Sequence, residues 1–205
     1  MEIGEIKKIY ARYSRIYDYI FKRWFYPRQQ YVIQSLDIRP GQRVLDVGVG
    51  TGFSLALYPS HAHVVGVDLS GKMLREAQKR VQKEQLSHVT LMEMDAGHLA
   101  FPDSTFDFVI AAFVISVVPD PIRVITEIKR VSKPDGRIVI INHFQSQNPL
   151  MARLEQWASP LCSKIGWRSD LALEYLEQYA NLQIDYKSSL NRIDLWKVIY
   201  ASNNK

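Results

Sequence analysis

Isoleucines, tyrosines and a tryptophan recur at three- and four-residue spacing early in the chain, at Ile3, Ile6, Ile9, Tyr10, Tyr13, Ile16, Tyr17, Ile20 and Trp24. That period predicts an amphipathic helix that ends or kinks at Pro27. A second, short helix is expected from Arg28 to Leu36, closed by the turn signal Pro40-Gly41. The pattern then changes, and β-branched runs alternate with longer helical segments. The runs are Arg43 to Val47, His63 to Asp68, Val89 to Met94, Phe106 to Ala112 and Arg137 to Asn142. Helices are expected between them at Thr51 to Leu57, Ser70 to Gln85 and Pro121 to Val131. Alternation of this kind with nearly continuous apolar strands predicts an α/β fold, a doubly wound and mostly parallel sheet covered on both faces. Past His143 the rhythm breaks. Residues 148–164 and 171–179 read as helices, and Leu182 to Ser188 with Leu195 to Ala201 as two final strands, antiparallel at the sheet edge.

Length and composition bound this picture. A chain of 205 residues, 47% hydrophobic, has the size and apolar share of one globular α/β domain. We therefore expect a single unit, with residues 1–38 as a helical lid or membrane-binding segment and 39–205 as the core. The longest largely apolar stretch, Phe108 to Val118, falls short of the roughly 20 residues that span a bilayer. The opening MEIGEIKK carries acidic residues where an export signal carries basic ones, so export is not expected. The single cysteine, Cys162, offers no internal disulfide and no cysteine-rich metal site, and no metal is expected. Charge is unevenly placed: the net +5 falls wholly within Met1 to Arg43, which holds nine Lys/Arg against four Asp/Glu. A basic leading segment on a neutral remainder points to an anionic surface, lipid or nucleic acid.

Candidate chemistry begins where the first strand runs into Asp46-Val47-Gly48-Val49-Gly50-Thr51-Gly52. Glycines let the backbone turn sharply and approach a ligand, and a following helix would add free N–H groups. A dinucleotide fingerprint needs a third glycine where Phe53 stands, and a Walker-type loop needs a lysine that does not occur between Arg43 and Lys72. Asp46 ends a strand and needs a polar or cationic partner if buried. Asp68 closes the second strand, where a carboxylate can accept hydrogen bonds from ribose hydroxyls. Asp95 closes the third and can take an exocyclic adenine amine. Each acid alone could equally be a turn residue or helix cap. Together with the glycine loop they outline a cofactor with a ribose and a base but no phosphates.

These residues resemble the class I S-adenosylmethionine-dependent methyltransferases, through VLDVGVGTG, VVGVDLS, MDAGHLAFPDSTFDFVI and RVSKPDGRIVI between Val44 and Asn142. The resemblance implies a Rossmann-like, seven-stranded sheet and S-adenosylmethionine as cofactor. It implies that Gly48, Gly50 and Thr51 approach the methionine portion, with Asp46, Tyr17 and Met73 also on the cofactor side. Asp68 and Leu69 would hold the ribose and flank the base, Asp95 and Ala96 would hold the adenine, and Phe113 would line the methyl-transfer pocket.

The acceptor is addressed by residues outside the loop. Amino-group methylases of nucleic acids carry an Asn/Asp-Pro-Pro-aromatic motif after the fourth strand, where this chain has the apolar Ala111-Ala112-Phe113-Val114-Ile115-Ser116; nucleic acid is therefore not expected. Finer features are similar to the bacterial phosphatidylethanolamine N-methyltransferases: Tyr10-Ala11-Arg12-Tyr13, Tyr17-Asp18, Leu57-Tyr58-Pro59, Val118-Pro119-Asp120-Pro121, Asn142-His143 and Gly166-Trp167-Arg168. That likeness implies a phospholipid substrate, with Tyr13, Tyr17 and His143 catalytic and Tyr10, Tyr26, Phe113, His143 and Arg168 at the substrate. Physical grounds agree. The leading helix sets its apolar stripe against Lys8, Arg12, Arg15 and Lys22, as a helix at an anionic interface does; the same stripe could instead pack on the protein's own core as a lid. Tyrosines suit a cationic headgroup, an imidazole can take an amine proton, and a guanidinium fork suits phosphate. The expected location is cytoplasmic, peripheral on the inner face of the cytoplasmic membrane. A quinone or other small apolar acceptor is the alternative, and a membrane-binding protein that keeps only the cofactor fold is a third reading.

Overall fold

The computed structural model describes residues 26–146, 171–188 and 196–203, together with Leu150, Arg153 and Trp157. The expected leading helix with Tyr10, Tyr13 and Tyr17, most of the expected helix at 148–164, and Arg168 lie outside the described residues.

Helix α1 (Tyr26–Ser35) leads to β1 (Arg43–Val47), β2 (His63–Asp68), α2 (Gly71–Lys83), β3 (Val89–Glu93), β4 (Phe106–Ala112), α3 (Pro121–Val131) and β5 (Ser132–His143). Helix α4 (Leu173–Tyr179), β6 (Ile184–Ser188) and β7 (Trp196–Ser202) follow. The seven strands form one sheet in the order β3-β2-β1-β4-β5-β7-β6. The first five pair in parallel, and β7 runs antiparallel to both β5 and β6. This is the Rossmann-like class I methyltransferase fold.

Strand β5 shows why the sheet is buried on both sides. Its successive residues point to opposite faces: Ile138 and Ile140 enter one apolar cluster, with Val124, Ile125 and Ile128 of α3, while Val139 and Ile141 enter the other, with Val32 and Ile33 of α1. Helix α3 forms because Asp120 caps it, its carboxylate accepting from Arg123 N at 2.9 Å, with Pro121 in the first turn. Its buried side chains, Pro121, Val124, Ile125, Ile128 and Val131, recur at helical spacing. Helix α2 starts likewise at Ser70, whose hydroxyl accepts from Met73 N at 3.4 Å.

Three expectations are corrected. Thr51 to Leu57 is not an α-helix; only Leu55–Leu57 makes a 3₁₀ turn. The reason is local: Gly50 and Gly52 stand at φ +58° and +80°, the left-handed region, which no right-handed helix contains. Strand β5 begins at Ser132, paired with Phe106, and its register shifts before the ladder resumes at Arg137 opposite Phe108. Asp95 lies two residues beyond the end of β3 rather than closing it. Among the described residues, no helix is long and apolar enough to cross a membrane.

Candidate active site

Parallel strands β1 to β4 deliver their carboxyl ends to one edge of the sheet, and a cavity opens there. Its lining includes Gly48 to Thr51 after β1, Asp68 to Ser70 after β2, Met94 to Ala96 after β3, and Ala112 to Val114 with Val117 to Pro119 after β4. Ser54, Met73 and Gln29 complete the wall. Two carboxylates and no lysine or arginine are among these residues, so the cavity suits a ligand that carries positive charge.

The glycine loop is stapled to its neighbour strand. Gly48 N and Val49 N both donate to Val67 O, at 2.8 and 3.0 Å, and Gly50 N donates to Asp68 Oδ2 at 2.8 Å. Gly48 stands at φ +73°, and a Cβ there would lie 2.9 Å from Val114 Cβ. Only glycine lets β1's loop pass this close to the residue after β4.

Asp46, next to last in β1, and Asp68, last in the adjacent β2, play different parts. Asp46 is 1% exposed, is not in the cavity wall, and accepts at Oδ2 from Ser54 Oγ (2.7 Å) and Tyr58 OH (2.9 Å). Burial pushes its carboxyl up to about 6, against the pull of the two hydroxyls. The same burial and the neighbouring carboxylate raise the Tyr58 phenol well above its ordinary value. Asp68 faces the cavity, where its Oδ1 accepts from Ser70 N at 2.8 Å. Burial raises it as well, opposed by the N–H groups of Ser70 and Gly50. Asp95 is partly exposed in the wall and accepts from Gly97 N at 2.8 Å.

Phe113 holds φ +61°, a conformation that costs a bulky residue on the order of 1–2 kcal/mol. Its N–H donates to Ile141 O at 2.6 Å, and its ring meets the Trp196 ring at 5.1 Å and 81°. Trp196 in turn meets the His143 ring at 5.7 Å. His143 is the last residue of β5, 2% exposed, and is not in the cavity wall; it reaches the wall through the rings of Trp196 and Phe113.

Residues 45–140 match the family model of the methyltransferase domain. Phosphatidylethanolamine N-methyltransferase of Cereibacter sphaeroides is 39% identical over 185 residues, covering 90% of each chain. This chain belongs to the class I S-adenosylmethionine-dependent methyltransferases. A demethylmenaquinone methyltransferase of Halalkalibacterium halodurans is 34% identical over 152 residues, 72% of this methyltransferase and 62% of that protein's length. The solved phosphoethanolamine N-methyltransferase 2 of Haemonchus contortus superposes with a TM-score of 0.72 at 22% identity, over 96% of this methyltransferase and 57% of that chain, a likeness of fold.

The methyltransferase uses S-adenosylmethionine, and the cavity fits it on two counts. Cationic charge meets a wall with acids and no bases, and a buried acceptor, Gln29 Oε1, has no hydrogen-bond partner among the described residues. Of the residues singled out in the sequence, Gly48, Gly50, Thr51, Asp68, Leu69, Met73, Asp95, Ala96 and Phe113 stand together in the wall. Asp46 and His143 stand behind it, and Tyr26 opens α1. Gln29 and Trp196 escaped the sequence reading. The signal for Gln29 was a polar residue on the buried stripe it shares with Val32 and Ile33.

Proposed function

We propose that this methyltransferase N-methylates phosphatidylethanolamine, and its mono- and dimethyl derivatives, toward phosphatidylcholine at a membrane face. The observation that carries the reading is the 90% coverage of both chains by the phosphatidylethanolamine N-methyltransferase relative. Two further features support it. The wall after β4 is apolar, with Phe113, Val114, Val117 and Val118, which excludes water from a reacting amine. Leu150 and Trp157 are 73% and 78% exposed, as side chains that meet an interface are.

Bound S-adenosylmethionine would supply a methyl group on a sulfonium sulfur, which keeps the S–CH₃ bonding pair and leaves as the neutral thioether of S-adenosylhomocysteine. Asp68 and Leu69 would hold the ribose, with Met73 beside them, Asp95 and Ala96 would hold the adenine, and Gly48, Gly50 and Thr51 would receive the methionine end. Asp46 acts from behind by fixing Ser54. The acceptor nitrogen must reach the methyl group unprotonated and in line. Tyr10, Tyr13, Tyr17 and Tyr26 receive its cationic form, water takes the proton, Arg168 binds the lipid phosphate, and His143, buried behind Trp196 and Phe113, supports that side of the wall from behind. Arg12, Arg15 and Lys22 hold the leading segment to anionic lipid.

The test is labelled methyl transfer from S-adenosylmethionine to phosphatidylethanolamine in mixed liposomes, with the products separated by chromatography. Labelled mono-, di- or trimethylated lipid is expected. No label in lipid, with cofactor binding intact, overturns the proposal and favours a quinone acceptor, the second reading supported by the demethylmenaquinone methyltransferase relatives. Replacing Arg12, Arg15 and Lys22 with glutamate is expected to reduce sedimentation with anionic liposomes; unchanged sedimentation removes the membrane role of that segment.

A further inference from the structure

Gln29 is a polar exception on an apolar surface. Val32 and Ile33 share the buried face of α1 with it, and Leu36 extends that face just past the helix. Gln29 itself is 5% exposed, and its Oε1 has no hydrogen-bond partner among the described residues. Folding has therefore stripped water from a strong acceptor without replacing it, where a methionine of the same length would cost nothing of the kind. The side chain is part of the cavity wall. An acceptor held ready in a ligand cavity is matched by a donor on the ligand.

Position selects the donor. Asp95 and Asp68 stand past β3 and β2, on one side of the glycine loop. Helix α1 packs away from those acids, against the 3₁₀ turn Leu55–Leu57 that follows the glycine loop and on the sheet face that carries Val44 of β1 and Ile110 and Ala112 of β4. The adenosine hydroxyls and amine are served by the two acids. What reaches Gln29 is the amino-acid end, and on that half of S-adenosylmethionine the sole hydrogen-bond donor is the α-ammonium. We infer that the Gln29 side-chain carbonyl accepts a hydrogen bond from the α-ammonium of the cofactor. Gln29 thereby selects adenosyl ligands that carry the α-amino group over those that lack it, whether sulfonium or thioether. The inference rests on the assignment of the cavity to S-adenosylmethionine.

An acceptor amine would offer the same chemistry, and the test separates the two. Calorimetric titrations without acceptor compare S-adenosylhomocysteine with its analogue lacking the α-amino group, on the wild type, Gln29→Met and Gln29→Glu. A hydrogen bond to a charged group predicts that the wild type prefers S-adenosylhomocysteine by roughly tenfold or more. Gln29→Met should lose that factor on S-adenosylhomocysteine and keep wild-type affinity for the analogue. Gln29→Glu, which retains an acceptor oxygen, should hold the preference. The ligand-free Gln29→Met protein should melt no lower than the wild type. Equal losses for both ligands, with a lower melting temperature, make Gln29 a packing residue and overturn the inference. Unchanged affinities with a raised KM for the lipid amine overturn it in favour of the acceptor. A wild type that binds neither ligand overturns the cavity assignment itself, a distinct result.

Discussion

The ends of β1 to β3 and the ends of β4, β5 and β7 meet at one edge of the sheet with opposite chemistry. The first group brings glycines at positive φ and three carboxylates, with backbone N–H groups tied to Val67 and Asp68. The second brings Phe113, Val114, Trp196 and a buried His143, with aromatic edges in place of charges. One half grips a cofactor by polar recognition, and the other shapes a dry space beside it. The division predicts that damage to the first half appears in cofactor affinity, and damage to the second in acceptor kinetics.

The largest effect is expected where the halves touch. Gly48→Ala places a Cβ 2.9 Å from two Val114 atoms on a backbone at φ +73°. Left-handed strain and overpacking together cost about 2–5 kcal/mol. We expect chemical denaturation to show a loss in that range, and S-adenosylhomocysteine affinity to fall by more than tenfold. A variant with unchanged affinity would mean that the close approach does not shape the cavity.

Next in size is a pH effect confined to the first half. Asp46 is raised by burial from 3.8 to about 6, so the folded chain holds a proton that the unfolded chain releases. Its stabilising contribution is complete below pH ~3.8 and is lost as pH rises through ~6, on the order of 3 kcal/mol in all. Asp46→Asn should remove this slope, read as the difference in unfolding free energy between variant and wild type from pH 4 to 7. It should leave cofactor affinity within about threefold, because the amide oxygen still accepts from Ser54 and Tyr58. Asp68→Asn should act chiefly on the cofactor. Asp68 accepts from Gly50 N and Ser70 N on different oxygens, and an amide keeps one oxygen, so affinity should drop by roughly ten- to a hundredfold. If both variants bind the cofactor equally, the distinction between the wall acid and the buried acid fails.

How much of this was legible in the sequence follows the same division. Helix α3 could be read to the residue, because Asp120, Pro121 and the apolar stripe encode cap, first turn and buried face independently. Strands β1, β2 and β4 were equally plain as apolar runs between turn signals. Thr51 to Leu57 misled because its composition suits a helix while Gly50 and Gly52 take φ values that forbid one; a glycine's φ is set by its contacts and cannot be read from its letter. Asp46 and Asp68 looked alike as strand-end acids, and only the fold of Ser54 and Tyr58 over Asp46 separates them. Trp196 was hidden by topology, since β7 inserts between β5 and β6 and so brings a late residue beside Phe113.

Trp196 therefore supplies the smallest and most discriminating test. It pairs with His143 across the β5–β7 ladder, and its ring edge supports Phe113, which holds its backbone at φ +61° within the cavity wall. Trp196→Phe keeps an apolar ring but shortens it, which withdraws part of an edge-to-face contact worth about 0.5–1.5 kcal/mol. The Phe113 wall should loosen on the acceptor side while Asp68, Asp95 and the glycine loop keep their partners. We expect KM for the acceptor to rise by roughly two- to tenfold, with S-adenosylhomocysteine affinity measured by calorimetry unchanged. A matching loss of cofactor affinity would show that Phe113 serves both ligands, and the boundary between the two halves would then run through β4 rather than beside it.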